Sequence, residues 1–242
     1  MTISTEGIIF THTRYGDSSA IIHIYTKEMG MVSFMVNGVF GRKKRSNFQL
    51  LQPLNIVQLE FINRANRDIQ RIRDFKVTHP MMRIPFSQSR RAQAFLLTEI
   101  YSRVLRNEGQ NETIFNFLKE GIIRLDSDVE GVENLHIWLL FHSVSHLGFE
   151  PHNNYEEDCT IFDIMDGCFV PSEPGHPYIL VDEDAKMINN LFKTTVDELK
   201  NVATNVHQRR VLLNAIIKYY ELHHQSIGKI SSLAILEELF RR

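Results

Sequence analysis

The segment Val32-Ser33-Phe34-Met35-Val36-Asn37 places a β-branched or aromatic residue at every second position. This period is typical of a half-buried strand. Val57-Gln58-Leu59-Glu60-Phe61 alternates in the same way, and residues 7–14, 18–26 and 69–77 are further runs rich in strand-forming residues. Five short strands with a long loop after the third predict a small barrel, for which the OB-fold is the five-stranded candidate.

Beyond Pro80 and Pro85 the spacing of apolar residues becomes helical. The helical stripes include Ala92, Leu96, Ile100 and Val104, then Ile114, Leu118 and Ile122, then Val211, Ala215 and Tyr219. Gly, Pro, Asn and Asp interrupt them in an irregular stretch. The predicted class is α+β. An N-terminal OB-fold barrel over residues 1–79 is followed by an α-helical domain over residues 80–242, which contains a hairpin subdomain at about residues 148–182.

The charge of the chain is divided unevenly. The whole chain has 27 Lys and Arg against 29 Asp and Glu, a net charge of −2, which argues against a nucleic-acid binder because such proteins usually carry a positive footprint. Residues 1–91, however, hold 14 against 6, a net charge of +8, and residues 92–242 hold 13 against 23, a net charge of −10. The division predicts a basic module that binds DNA, joined to an acidic module suited to protein partners.

A glycine-bounded loop carries the densest positive charge. Four consecutive cations occupy positions 42–45, with Phe40 and Phe48 on either side. A basic loop can follow a phosphodiester backbone, and aromatic rings can stack on the bases of a single strand. The alternative is a solvated charge run that ends on core aromatics.

Arginines of the fifth strand extend this basic region. Arg71 and Arg73 are two residues apart and therefore project to one face of the strand; the alternative is that they only meet solvent. The predicted DNA-binding residues are Arg14, Phe40, Arg42, Lys43, Lys44, Arg45, Phe48, Arg64, Arg71 and Arg73.

Motifs for catalysis and for metal binding are sparse. The sequence contains no Gly-x-Gly-x-x-Gly, Walker phosphate loop, His-Glu-x-x-His or Gly-x-Ser-x-Gly, so we expect no enzymatic activity and no cofactor. Cys159 and Cys168 lack the paired spacing of a structural zinc site. We expect two reduced thiols, no bound metal and a cytoplasmic protein.

Several motifs resemble the RecO recombination mediators of bacteria. In the first half they are Thr13-Arg14-Tyr15-Gly16-Asp17-Ser18, Tyr25-Thr26-Lys27-Glu28-Met29-Gly30, and Gly38 followed by the basic loop and Leu51-Gln52-Pro53-Leu54. In the second half they are Arg209-Arg210-Val211-Leu212-Leu213, Tyr219-Tyr220-Glu221-Leu222-His223 and Lys229-Ile230-Ser231-Ser232. The order and spacing of the motifs, more than any one of them, carry the resemblance.

The resemblance implies the same two-domain fold and a function without catalytic turnover, in the cytoplasm at the nucleoid. Members of that family bind single- and double-stranded DNA and anneal complementary strands. They contact the acidic C-terminal tail of single-stranded DNA-binding protein (SSB), and with RecR they help load RecA in the RecF pathway. We predict Arg209 and Arg210 at the edge of the surface that takes the tail; the alternative is ordinary helix-surface charge.

The resemblance also predicts a changed metal module. Many family members carry four zinc-binding cysteines in the region corresponding to residues 150–170, whereas this chain has only Cys159 and Cys168. Phe162-Asp163-Ile164 and Gly167-Cys168-Phe169 still resemble the hairpin of that module. We expect a zinc-finger-like subdomain without the full ligand set, in which packing of Phe162, Ile164 and Phe169 replaces the metal.

Three other functions remain open at this point. The chain could be a protein-interaction scaffold that touches no nucleic acid, or an RNA-binding OB-fold protein. It could also be a hydrolase that uses histidines of the helical half, of which His142, His146, His223 and His224 are candidates. That last function requires a histidine within hydrogen-bond reach of both a carboxylate and a nucleophile.

Overall fold

The computed structural model describes residues 1–40, 51–224 and 227–239. Contacts between Cα atoms divide the chain into two compact units, Met1–Asp126 and Ser127–Arg242. No helix in the described ranges is long and apolar enough to cross a membrane.

The first unit is built on a closed five-stranded barrel. Its strands are β1 (Thr2–Tyr15), β2 (Ser19–Thr26), β3 (Gly30–Val36), β4 (Ile56–Ile62) and β5 (Ile69–His79). They pair in the order β1-β2-β3-β5-β4, and β4 returns to β1. Only the β3–β5 pair among these is parallel. The five predicted strands and the predicted OB-type barrel are confirmed.

Alternation along the strands fills the barrel with apolar side chains. Ile22 and Ile24 of β2, Phe34 of β3, and Leu59 and Phe61 of β4 all point inward and are buried. The Phe34 and Phe61 rings meet edge to face with centroids 4.9 Å apart, an arrangement that aromatic pairs favour. This packing fills the barrel interior and leaves the alternate side chains facing outward.

Two helices of the first unit, α1 (Gln88–Val104) and α2 (Glu112–Leu125), cover part of the outside of the barrel. The rings of Phe10 and Tyr101 are 6.4 Å apart, and those of Tyr25 and Phe115 are also 6.4 Å apart. The Lys119 ammonium lies 2.6 Å from the Glu6 carboxylate. The barrel strands end at His79, but the compact unit continues to Asp126. The domain boundary between residues 79 and 80 remains a prediction.

In its described residues, the second unit contains four α-helices and a small sheet. The helices are α3 (Leu135–His146), α4 (Asp182–Lys193), α5 (Val206–His223) and α6 (Ser232–Leu239). A buried hydrogen-bond network joins α5 to α3. The Tyr220 hydroxyl lies 2.9 Å from the Leu140 carbonyl oxygen and 2.7 Å from the Ser143 hydroxyl. This network satisfies polar groups that would be costly to bury alone.

The predicted hairpin subdomain contains a three-stranded sheet. Its strands are β6 (Ile161–Asp163), β7 (Cys168–Val170) and β8 (Ile179–Leu180), in the order β7-β6-β8. The Phe162 and Phe169 rings are buried with centroids 5.0 Å apart. The side chain of Asp163 is also buried; its Oδ1 accepts the Met165 N–H at 2.8 Å, and its Oδ2 lies 3.2 Å from Nε2 of His176. Apolar packing and this polar group together hold the hairpin.

Cys159 and Cys168 are free thiols, each half-buried. Burial, together with the nearby carboxylates of Asp166 and Asp163, raises the pKa of the Cys168 thiol, so this side chain favours the protonated form. Within the described ranges, no group of three or more His, Cys, Asp and Glu side chains is arranged to hold a metal. Replacement of a zinc site by packing remains a prediction.

Candidate nucleic-acid interface

A row of paired residues crosses four neighbouring strands on the outer surface of the barrel. Thr13 of β1 pairs with Ile21 of β2, Ile21 with Met35 of β3, and Met35 with Arg71 of β5. Residues directly opposite one another in a sheet share a face, so all four side chains point outward. Ile21 and Met35 are half-exposed, whereas Thr13 and Arg71 are exposed. We call Thr13, Ile21, Met35 and Arg71 the barrel row.

The next row of the same face is partly covered. Thr11, His23 and Ser33 pair in register, and the His23 ring lies 3.0 Å from the Ser33 hydroxyl. Burial, and to a smaller extent the charge of Arg106, lowers the pKa of His23. At the start of β3, Gly30 has φ +70°, and a Cβ there would lie 2.6 Å from the Glu108 carbonyl oxygen. The segment after α1 therefore closes this end, and the barrel row forms the accessible part of the face.

Arg14 lies at the end of β1, and Phe40 lies four residues after the end of β3. The guanidinium carbon of Arg14 is 5.2 Å from the centre of the Phe40 ring, within cation–π range. Nε of Arg14 donates to the Gly16 carbonyl at 3.2 Å and Nη2 donates to the Asp17 carbonyl at 3.2 Å. Arg14 remains exposed while Phe40 packs partly against the barrel core. Phe40 thus supports the guanidinium, which is the more accessible surface of the pair.

The backbone holds this pair in place. The N–H groups of Val39 and Phe40 both donate to the Ser18 carbonyl, at 2.7 and 3.2 Å. These bonds tie the segment after β3 to the β1–β2 turn. Phe40 is the last described residue before the basic loop in the sequence. The cations of the loop, Arg42, Lys43, Lys44 and Arg45, and Phe48 lie outside the described residues, and their role in DNA binding remains a prediction.

Arg71 and Arg73 of β5 are both exposed, but their surroundings differ. Nη1 of Arg73 lies 3.2 Å from Oε1 of Glu60, so part of its charge is compensated. A register irregularity of β5 opposite Glu60 also exposes Asp74. Arg71 adjoins the half-exposed Met35 of the barrel row. Of the two arginines, Arg71 is the better placed to receive a phosphate.

The turn between β4 and β5 presents Arg64 and Arg67. The buried Gln70 amide accepts from the Arg64 N–H at 3.1 Å and donates to the carbonyls of Arg64 and Arg67 at 3.0 and 2.7 Å. One side chain therefore braces the turn, while both arginines are exposed. Nucleic acid commonly binds the β2–β3 face of an OB-fold and the loops after β1 and β4. Arg14 borders the first of these loops, Arg64 and Arg67 lie in the second, and Arg71 adjoins Met35 of β3.

The apolar members of this surface were not among the predicted site residues. The sequence pattern marks Ile21 and Met35 only as strand residues, although both lie on the open face. The alternation of β3 does place Met35 opposite to Phe34, and this is the one signal that the sequence holds. The half-exposure of these side chains depends on where α1 and α2 pack, which local periodicity does not report.

Comparison with known proteins agrees with this architecture. Residues 1–81 match the family model described as Recombination protein O N terminal, and residues 89–232 match the one described as Recombination protein O C terminal. The chain belongs to the RecO family.

Curated RecO proteins match along their whole length. The DNA repair protein RecO of Phocaeicola vulgatus is 32% identical over 237 residues, which cover 98% of both chains. That of Azobacteroides pseudotrichonymphae is 26% identical over 240 residues, covering 99% of this chain and 100% of its own. That of Bacteroides fragilis strain YCH46 is 29% identical over 238 residues, covering 98% of each chain.

In this RecO-family chain, the predicted partner residues Arg209 and Arg210 lie near the start of α5 and are half-buried. Burial, and after it the positive charge of Arg209, lowers the pKa of the fully buried His136 to about 3. The half-buried Arg209 side chain therefore acts on a buried residue of the second unit, His136, and is not only a surface charge. Whether Arg209 and Arg210 contact a partner remains a prediction.

The histidines of the RecO helical half are engaged in packing. His142 is half-buried and its ring centroid lies 4.5 Å from that of Trp138. His223 packs on Tyr219 with centroids 4.0 Å apart. His176 pairs with Asp163 through Nε2, and its Nδ1 accepts the Tyr178 N–H at 3.3 Å. These contacts assign the three rings structural roles.

Proposed function

We propose that this protein is a non-catalytic mediator of DNA repair and recombination that binds DNA on the outer face of its barrel. The observation that carries the proposal is the barrel row, which sets Ile21 and Met35 beside Arg71 on the open β2–β3 face. Apolar side chains can contact bases, and a neighbouring guanidinium can contact phosphate. Arg14 on Phe40 and the exposed Arg64 extend the basic surface, and the cations at 42–45, which follow Phe40 closely in sequence, add further positive charge to the first unit.

Binding of this kind is independent of sequence. Phosphate contacts position a nucleic acid but carry no sequence information. A strand held by its phosphates keeps its bases available for pairing, and cations lower the repulsion between two strands. We infer that the protein anneals complementary single strands and also binds duplex DNA, which presents the same phosphates.

The partners follow from membership of the RecO family together with the division of charge. We infer that the acidic second unit, with Arg209 and Arg210 as local cations, contacts the acidic C-terminal tail of SSB. With RecR, the protein helps load RecA onto SSB-coated single strands in the RecF pathway. We place this activity in the cytoplasm at the nucleoid, with no cofactor.

Annealing of complementary oligonucleotides coated with cognate SSB tests the proposal. We expect the wild-type protein to accelerate annealing and the Arg71→Glu variant to do so less. Lys186→Glu is the matched control, because Lys186 is an exposed cation on α4. A folded wild-type protein that leaves the annealing rate unchanged contradicts the proposal. Stronger binding of RNA than of single-stranded DNA of the same sequence would favour the RNA-binding alternative.

A further inference from the structure

Tyr15 presents an aromatic ring to solvent at the end of β1. Its side chain is 56% exposed, whereas the other Phe and Tyr side chains of the five described strands are buried or half-buried. Within the described ranges, no hydrogen bond or ring contact engages the Tyr15 side chain. Single exposed apolar residues are ordinary on a protein surface, so the position and the support of this ring decide what it can do.

The ring lies on the same outer face as the barrel row. Tyr15 pairs with Ser19 of β2, two residues along each strand from the Thr13–Ile21 pair of the row. Side chains two residues apart in a strand point to the same face. Diagonal neighbours on two paired strands, such as Tyr15 and the half-exposed Ile21, are within reach of an aromatic ring. Tyr15 therefore extends the barrel row by one step toward the β1–β2 turn.

Polar groups adjoin the ring on this face. The Ser19 hydroxyl donates to the side-chain oxygen of Asn37 at 3.1 Å, so both lie beside Tyr15 in the direction of β3. The exposed Arg14 directly precedes Tyr15 in the chain. Arginine, serine and asparagine side chains all contact the phosphates and sugars of nucleic acids. The surroundings of the ring therefore suit a nucleotide.

The turn that carries the ring is firmly held. Gly16 adopts a φ of +65°, and the Arg14 side chain donates to the carbonyls of Gly16 and Asp17, at 3.2 Å in each case. On the other side of the turn, the Ser18 carbonyl accepts the Val39 N–H at 2.7 Å. An ordered turn presents the ring, and this order lowers the entropic cost of binding.

We propose that an unpaired base stacks on the Tyr15 ring, and that this contact makes the barrel prefer single-stranded to duplex DNA. The inference rests on the proposed function, because it requires DNA on the barrel row. Phosphate contacts serve both forms of DNA. A duplex presents base edges in its grooves, whereas a single strand can turn the face of a base onto an aromatic ring. Pairing removes the base from the ring, so an annealed product dissociates more readily than its separate strands.

Fluorescence anisotropy with three labelled probes of equal length tests the role of Tyr15. The probes are a single-stranded oligonucleotide, the same strand with stable abasic sites throughout, and its duplex. Tyr15→Ala should weaken binding of the single strand about tenfold, which lies within the range of base–aromatic stacking. It should bind the abasic strand and the duplex as the wild type does. Tyr15→Phe keeps the ring and should bind the single strand nearly as the wild type does.

Tyr15→Trp gives a direct signal of stacking, because a stacked base quenches indole emission. We expect the single strand to quench the added emission and the abasic strand to leave it unchanged. The wild type, whose single tryptophan is Trp138, supplies the background. Quenching that is equal with both strands would contradict stacking.

Phe86→Ala is the matched control variant, because Phe86 is 85% exposed but lies between β5 and α1, outside the barrel row. Its segment is also held in place: the carboxylate of Asp126 accepts the N–H groups of Met82, Arg83 and Ile84, at 2.7, 2.8 and 2.8 Å. This variant should bind all three probes like the wild type. Chemical denaturation should give the same midpoint for it, for Tyr15→Ala and for the wild type, since both side chains are exposed.

Two results would overturn the proposal while leaving the proposed function in place. The first is a Tyr15→Ala variant that binds the single strand as tightly as the wild type. The second is an equal loss of affinity for all three probes, which would assign Tyr15 a structural role. A wild type that binds none of the probes would instead contradict the proposed function, and the stacking contact with it.

Discussion

The Arg14 guanidinium carbon lies 5.2 Å from the centre of the Phe40 ring. This contact joins the end of β1 to the residue that leads into the basic loop. Backbone N–H groups of Val39 and Phe40 that donate to Ser18 reinforce the connection. A cation and an aromatic ring proposed to bind DNA therefore form one ordered element.

Two substitutions of Arg14 should separate the contribution of its charge to DNA binding from that of its planar guanidinium. We expect Arg14→Ala to weaken binding of a single-stranded oligonucleotide and to reduce the slope of log affinity against log salt by about 0.7. Arg14→Lys should keep the slope but bind less tightly, because an ammonium lacks the planar guanidinium surface. Anisotropy titrations at several salt concentrations measure both quantities. Binding of Arg14→Lys as tight as that of the wild type would show that planarity is irrelevant, and an unchanged slope in Arg14→Ala would contradict a phosphate contact at Arg14.

The basic loop should contribute through charge. Replacing the four cations at 42–45 by Ala should lower the salt slope by up to ~3 for single strands, at ~0.7 for each phosphate that is no longer neutralised. A filter-binding series in increasing salt gives the slope. The control variant replaces four lysines of the second unit by Ala and so removes the same amount of charge. These lysines are Lys186, Lys193, Lys200 and Lys229. If both variants reduce the slope equally, only overall charge matters and the loop has no special role.

Oligonucleotide affinity should depend on the charge of the side chain at position 35 and not on its size. Met35→Glu places a carboxylate beside Arg71 in the barrel row, and we expect oligonucleotide affinity to fall about tenfold, or ~1.4 kcal/mol. Met35→Gln, of similar size and neutral, should bind nearly as the wild type does. Anisotropy gives the affinity of each, and chemical denaturation gives its stability.

Phe34→Ala is the structural counterpart of these variants. Phe34 is the inward-facing neighbour of Met35, and its truncation should cost ~3–5 kcal/mol of unfolding free energy. The Met35 variants should differ from one another by only ~0.5 kcal/mol in stability. If affinity falls equally in Met35→Glu and Met35→Gln, the charge at position 35 does not control DNA binding by the barrel row.

The buried His136 should make stability depend on pH. Its pKa falls from 6.5 to about 3 in the folded chain, through burial and then the charge of Arg209. Between these values the unfolded state holds the extra proton, so the free energy of unfolding is greatest above pH 6.5 and falls as pH drops. The contribution of one such group is at most ~1.4 kcal/mol per pH unit.

Denaturation of His136→Asn at a series of pH values measures this contribution. The variant should show a shallower fall of unfolding free energy between pH 6.5 and about 3 than the wild type. Burial also lowers the pKa of His142 and His146, so a residual slope is expected. His207→Asn, at an exposed position on α5, is the control for replacement of a histidine at the surface. A slope unchanged in His136→Asn would contradict the assignment.

Alternation in the sequence is enough to predict the five strands, because the inward residues of the barrel follow a period of two. Phe34, Leu59 and Phe61 all lie where that period places them. The early part of β1 has no such signal. Thr2–Gly7 forms a strand by pairing with Val57–Ile62 of β4, and pairing across such a sequence separation leaves no local pattern.

The cations of the candidate site can be predicted from the sequence, but its apolar residues Ile21 and Met35 cannot. Arg64, Arg71 and Arg73 are exposed, as expected of charged residues on strands and turns. The structure adds the Arg73–Glu60 ion pair, which depends on strand register. The exposure of Phe86 could not be foreseen either, since the bonds that present it come from Asp126, about forty residues later in the chain.

The clasp of Asp126 on the segment after β5 also bears on how this protein can be divided. The N-terminal family model stops at residue 81, yet a fragment ending there would lack the clasp and the two helices. The rings of Phe10 and Tyr25, buried against Tyr101 and Phe115, would then face water. The shortest piece of the first half that keeps this packing runs to residue 126. The segment matched by the family model and the compact structural unit therefore end at different points in this chain.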